Sequence, residues 1–122
     1  MDGWTVDIEL VADWMLALDR KSYERVVAAI VLLRERGPAL GRPLVDTLTG
    51  SRHANMKELR PRSSGRSALR LLFAFDAKRN AIFLVAGNKA GNWVTWYEEH
   101  IPRADDLFEA HMARHRKEEG HG

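Results

Sequence analysis

Between Met56 and Lys89 the chain threads Lys57, Glu58, Arg60, Arg62, Arg66, Arg70 and Lys89 through three strand-like apolar runs. Residues 52–89 hold nine Lys and Arg against two Asp and Glu, while 1–51 hold six against eight and 90–122 four against seven. The bland net charge of +2 therefore hides a basic centre between two acidic flanks. An Arg-rich sheet of this kind is a candidate polyanion-binding surface, because a guanidinium can hold two phosphate oxygens at once. Strand period decides which of these side chains can cooperate. Over 67–76, Ala68, Arg70, Leu72 and Ala74 share a face with Arg66, and Ser67, Leu69, Leu71, Phe73 and Phe75 form the other, which reads as the core face. Arg66 and Arg70 are four residues apart, roughly 13 Å along a strand, too far for one phosphate to bridge. Over 56–60, Met56, Glu58 and Arg60 face away from Lys57 and Leu59. Glu58 and Arg60 can pair on the face that carries Arg70, either as a structural ion-pair cluster or as part of a reactive centre.

Lys89 sits in a glycine-flanked loop after a buried strand, a usual position for a functional side chain. Trp93, Trp96 and Tyr97 follow. Trp96 reads as core, whereas Trp93, beside Asn92, is the better platform for stacking an unpaired base, and Tyr97 is a candidate for base contact. His111 and His115 stand at i, i+4 on a helix, a spacing that can hold a metal. The glutamate of an H-E-x-x-H motif is missing, position 112 is Met, and no third ligand is evident, so neither a metal nor a cofactor is expected. His53 and His100 flank the strands without a forced role.

These residues need elements to hold them. At 122 residues the length suits one domain, 1–122, with a frayed tail from about residue 117. No apolar run approaches membrane length, the first ten residues do not have a signal-peptide layout, and there is no Cys, so a cytoplasmic protein without disulfides or a membrane partner is expected. Residues 4–10 read as a strand and 11–18 as a short helix. Asp19 is a suitable N-cap for a helix over 20–36, closed by Gly37 and Pro38. Residues 37–55 form a connector. Strands are expected over 56–60, 67–76 and 81–86, a loop over 87–95, and a last helix opened by Pro102 with Asp105 and Asp106 in its first turn.

The order of these parts resembles a known family. Gly37, Leu40 and Pro43 match a "G-x-x-L-x-x-P" connector, followed by Glu58, Leu59 and Arg60, an Arg-bearing strand over 69–76, and an apolar strand that enters Gly87, Asn88 and Lys89. The tail Gly91, Trp93, Trp96, Tyr97, Ile101, Pro102, Ala104 and Asp105 is similar to that of the phage-derived Gp49-like branch of the RelE/HigB-like toxins. The resemblance implies an α+β, RelE-like fold: a small, mostly antiparallel twisted sheet with two N-terminal helices on one side and a C-terminal helix near the catalytic face.

It also implies the toxin of a type II toxin–antitoxin system, a metal-independent mRNA endonuclease. Such an enzyme acts mainly on the ribosome and is neutralised by a helix-turn-helix, HigA-like antitoxin. In that chemistry the 2′-OH attacks the adjacent phosphate. A base near the hydroxyl, positive charge on the phosphorane and an acid at the 5′ oxygen are all needed. The resemblance assigns Arg70 as phosphate clamp and Lys89 to phosphate contact or proton transfer, with Arg60 and Glu58 as further catalytic candidates. Lys57, Arg62, Arg66, Trp93 and Tyr97 are the RNA-binding candidates. Other branches carry a second basic residue where this chain has Ala90, which leaves the general base unassigned. A ParE-like gyrase inhibitor and an inactive binding module of the same fold are the competing functional classes.

Overall fold

The computed structural model describes residues 4–62 and 67–119. Helix α2, Arg20–Arg36, begins where the Asp19 carboxylate accepts the Ser22 N–H at 3.1 Å. Val26, Ala29 and Leu33 make its buried stripe, and Val27 and Ile30 are half-buried at the margin. It ends at Gly37, whose φ of +56° favours glycine. A side chain there would also collide with the Trp4 indole.

Upstream, the expected strand over 4–10 is shorter: β1 is Thr5–Asp7, a 3-10 turn takes Glu9–Val11, and α1 is Ala12–Leu16. The connector over 37–55 contains a strand not expected from sequence, β2 at Val45–Thr47. It is only three residues long and carries Asp46, so it has no readable period. Strands β3 (Met56–Leu59), β4 (Leu69–Phe75) and β5 (Asn80–Asn88) follow. The sheet runs β1-β5-β4-β3-β2, with β1 parallel to β5 and the other pairs antiparallel. The fold is therefore α+β with a mostly antiparallel sheet, consistent with a RelE-like architecture.

Both faces of the sheet are covered. Leu59, Leu71, Phe73 and Phe83 pack on one side with Val11, Met15, Val26 and Leu33 of the N-terminal segments. Met56, Leu72, Ala74, Ile82 and Leu84 pack on the other with Trp96, Ile101 and Phe108 of α3, Trp93–Glu119. This corrects two expectations. The face of β4 that carries Arg70 is not a working surface along its length: Leu72 and Ala74 are fully buried, and only the Arg70 end emerges. The last helix also does not begin at Pro102. It starts nine residues earlier and passes through the proline. Pro102 lacks the N–H for one helical bond and would break an isolated helix. Here Trp96, Ile101, Ala104 and Phe108, on both sides of it, are buried against the sheet and outweigh that loss.

A bulge reorients the end of β5. Leu72 pairs with Val85 but Phe73 pairs with Phe83, so Leu84 is the extra residue. Leu84 and Val85 both join the core under α3, Ala86 turns to the opposite core, and Gly87 faces Trp96. A Cβ on Gly87 would lie 2.5 Å from the Trp96 indole nitrogen, so glycine is what lets α3 approach this strand end. Among the described residues no helix is long and apolar enough to cross a membrane.

Candidate active site

Register brings the predicted residues to one end of the sheet. Glu58 lies opposite Leu72, and Arg70, two residues upstream of Leu72, lies opposite Gly87. Lys89 follows β5, and Trp93 and Tyr97 occupy the first turns of α3. The Glu58 Oε1 is 3.8 Å from both the Arg60 Nε and the Arg70 Nε. The Tyr97 hydroxyl donates a hydrogen bond to the Glu58 Oε2. The Lys89 Nζ lies 5.2 Å from the Tyr97 ring centre and 5.7 Å from that of Trp93, close enough for cation–π attraction. Glu58, Arg60, Arg70, Lys89 and Tyr97 thus meet around one buried carboxylate.

The loop that delivers Lys89 is tied down by Asn88. Its Oδ1 accepts from the N–H groups of Ala68 and Ala90, both at 3.0 Å, and the Lys89 N–H donates to the Ala68 carbonyl at 3.0 Å. Arg70 donates from Nη1 to the Leu69 carbonyl at 2.8 Å, and its Nε is buried without a hydrogen-bond partner. The Arg70 side chain is only 12% exposed and that of Glu58 8%, whereas Arg60 is at 36%. Charge is therefore held here with little water to screen it.

Protonation follows from this crowding. Burial, then the neighbouring Arg70, lowers the pKa of the Lys89 ammonium, with Arg60 adding to the effect and Glu58 opposing it. Burial and the bond to Glu58 push the Tyr97 phenol up to about 12. Tyr97 is therefore a firm donor at neutral pH and a poor base.

Other predicted residues lie elsewhere. Lys57 is on the opposite face of β3, where its Nζ donates to the Thr47 Oγ1 at 3.1 Å, apart from the Glu58 cluster. Arg62 is exposed and lines a groove of about 700 Å³ together with Arg60, Arg70 and Arg25 of α2, beside Ala28, Leu32 and Leu44. Nothing in the sequence pointed to Arg25, because one charge on a helix surface is ordinarily just solvated; only the packing of α2 beside the end of β3 places it here. Arg66 lies outside the described residues. Trp93 is 58% exposed and Trp96 buried, as their sequence contexts suggested. Neither histidine near the strands joins the cluster: His100 stacks on Trp96 and bonds its carbonyl, and His53 bonds the Glu109 carboxylate at 2.9 Å.

Asp105 also departs from expectation. It is not in a first helical turn but in mid-helix, 1% exposed, accepting from the Ser51 hydroxyl at 2.5 Å and the Arg52 N–H at 3.0 Å. Arg52 reaches further, to Asp106 at 2.7 Å and Glu109 at 3.0 Å. The Ile101, Pro102, Ala104 and Asp105 motif therefore fastens α3 to the connector. The His111 and His115 pair, for which no third ligand was evident, has Asp76 beside it from the β4–β5 turn.

The model of the family described as phage-derived protein Gp49-like matches residues 13–109. The chain is 61% identical over 112 residues to "Putative toxin HigB2" of Mycobacterium tuberculosis, covering 92% of this chain and 56% of that protein. It spans only about half the length of that relative. It is also 48% identical over 103 residues to "Putative toxin HigB3" of the same organism, covering 84% of this chain and 88% of that protein. A five-stranded α+β sheet carrying the Gp49-like residues from α1 through the middle of α3 therefore identifies the chain as a member of the phage-derived Gp49-like family, among the HigB-like toxins.

Proposed function

We propose that the protein is the toxin of a toxin–antitoxin pair and acts in the cytoplasm as a metal-independent mRNA endonuclease on the translating ribosome, neutralised by a helix-turn-helix antitoxin. The observation that carries this reading is the convergence of Glu58, Arg60, Arg70, Lys89 and Tyr97 at one sheet end beside an arginine-lined groove. Three cations around a single carboxylate leave net positive charge, which suits a dianionic phosphorane.

Roles follow from chemistry. Arg70 and Arg60 bear the charge on the non-bridging phosphate oxygens. Glu58 is the one carboxylate among the converged side chains, and among the described residues no cation lies closer than 3.8 Å to its Oε1, so it takes the proton of the attacking 2′-OH. Tyr97, held protonated, orients Glu58. Lys89, whose proton is loosened by burial and by Arg70, delivers it to the departing 5′ oxygen. Trp93 stacks a base next to the scissile phosphate. The products are a 2′,3′-cyclic phosphate and a free 5′-OH.

The test is to induce the protein in a heterologous cell and map mRNA 5′ ends against an Arg70→Ala control. New 5′-hydroxyl ends inside translated frames, absent from the control, are the expected result. Loss of DNA supercoiling with no new RNA ends would replace this reading with gyrase inhibition. Unaffected growth at full expression would leave a binding module. Cleavage of naked RNA, without ribosomes, would remove the ribosome from the reading.

A further inference from the structure

We propose that Asp76, His111 and His115 form a binding site for one divalent transition-metal ion of the zinc class, at the end of α3 away from the candidate active site. One ligand atom from each of the three residues lies within 4.8 Å of the other two. The His111 Nε2 and the Asp76 Oδ2 are 3.1 Å apart, and the His111 and His115 ring centres 4.1 Å apart. Bonds of about 2.0–2.1 Å in a tetrahedron put donor atoms roughly 3.3 Å from one another. Two of the three donors already stand near that spacing, and a torsional adjustment of His115 brings in the third.

A second observation points the same way. The His115 Nδ1 is buried with no hydrogen-bond partner. Buried polar atoms are ordinarily paired, and an unpartnered imidazole nitrogen beside a histidine–carboxylate pair has its lone pair or proton to offer a ligand. The carboxylate is also preset. The Asp76 Oδ1 accepts the N–H groups of Lys78 and Asn80, both at 2.9 Å, and the Oδ2 accepts the Asn80 amide at 2.9 Å, the kind of outer support that orients a metal ligand.

A cavity of about 340 Å³ adjoins the three residues and is lined also by Asn55, Phe108 and Met112 and by the cations Lys78 and Arg116. It has room for water at the remaining coordination position. With two imidazoles, one carboxylate and cations nearby, the site disfavours hard magnesium or calcium and suits zinc, cobalt or nickel. His111 is 14 residues beyond Tyr97, roughly 21 Å along the helix, so the ion would take no part in chemistry at Glu58. It would instead clamp α3 to the β4–β5 turn, joining groups 35 residues apart in sequence.

The experiment is titration of the purified, chelator-treated protein with Co2+ and with Zn2+, read by Co2+ visible absorption, calorimetry and thermal melting. One equivalent bound, ligand-field bands of a four- or five-coordinate ion and a Tm higher by several degrees are expected. His115→Ala, with its helical circular dichroism preserved, should bind at least about tenfold more weakly and lose the Tm increase. If that variant does not fold, His115→Gln replaces it, since an amide is a poor ligand of similar size. Absence of saturable one-to-one binding by the native chain overturns the proposal, and so does undiminished binding by the folded His115 variant.

Discussion

The two halves of α3 cover the same face of the sheet and meet opposite electrostatics. In the C-terminal half, acids and bases are matched. Asp105 takes Ser51 and Arg52, Glu109 takes Arg52 and His53, and Asp76 takes His111. In the N-terminal half, Tyr97 and Trp93 lean over a single carboxylate shared by Arg60 and Arg70, with Lys89 alongside. Burial, and after it the like charge of Arg70, lowers the pKa of the Lys89 ammonium and so works against the compact state. The matched half is an anchor that keeps the mismatched half in place. An excess of positive charge is thus separated along one helix from charge that is matched pair by pair.

The largest break in this contrast should come from Glu58→Gln, which keeps the shape and removes the acceptor. Cleavage should fall about 10²–10⁴-fold, with the acidic limb of the pH–rate profile lost, measured on a translated reporter mRNA. If Glu58 only positions its neighbours, the limb will persist. Arg70→Ala should cost about 10²–10³-fold in cleavage rate, and by leaving Glu58 with fewer partners should also reduce stability by about 1–3 kcal/mol in urea unfolding.

Lys89 offers a pH test with two signs. If its protonated form is needed, cleavage falls as pH rises through a value below the ordinary 10.5. Stability moves the other way. The folded pKa is depressed, so between that value and 10.5 the unfolded chain binds the extra proton, and this residue's contribution to stability rises with pH. Lys89→Arg keeps the charge but not a transferable proton, so it should lower the rate and abolish the alkaline fall in the activity that remains.

In the matched half the expectations reverse. Asp105→Asn should lower unfolding free energy by about 1–3 kcal/mol, through weakened bonds to Ser51 and Arg52, with activity per folded molecule near native. The smallest effect is expected from Lys57→Ala, on the far face of β3. Stability should change within about 0.5 kcal/mol and cleavage hardly at all, and a large loss of cleavage would mean that RNA wraps around the β2 edge.

Local chemistry was readable in the chain wherever neighbours in sequence decide it. The Asp19 cap, the stop at Gly37, the three central strands and the shared face of Glu58 and Arg60 all depend on dihedral preference and on period, both of which act over a few residues. Gly87, Asn88 and Lys89 could be singled out as a loop motif. That Asn88 ties the loop to Ala68, and that Gly87 makes room for Trp96, depended on partners about twenty and nine residues distant.

Three features came only from packing. Period marked one face of β4 as core and left the face of Arg70 open, so the cover that α3 gives to Leu72 and Ala74 was invisible. Pro102 is a helix breaker by its own chemistry, and burial on both sides of it overrides that preference. Asp76 meets His111 and His115, and Arg25 meets Arg60, Arg62 and Arg70, because separate elements converge. Sequence spacing could place each charge on a strand or helix. Which charges share an environment, and which are left in excess, is a property of the assembled layers, since Coulomb energy depends on distance and on excluded water rather than on order along the chain.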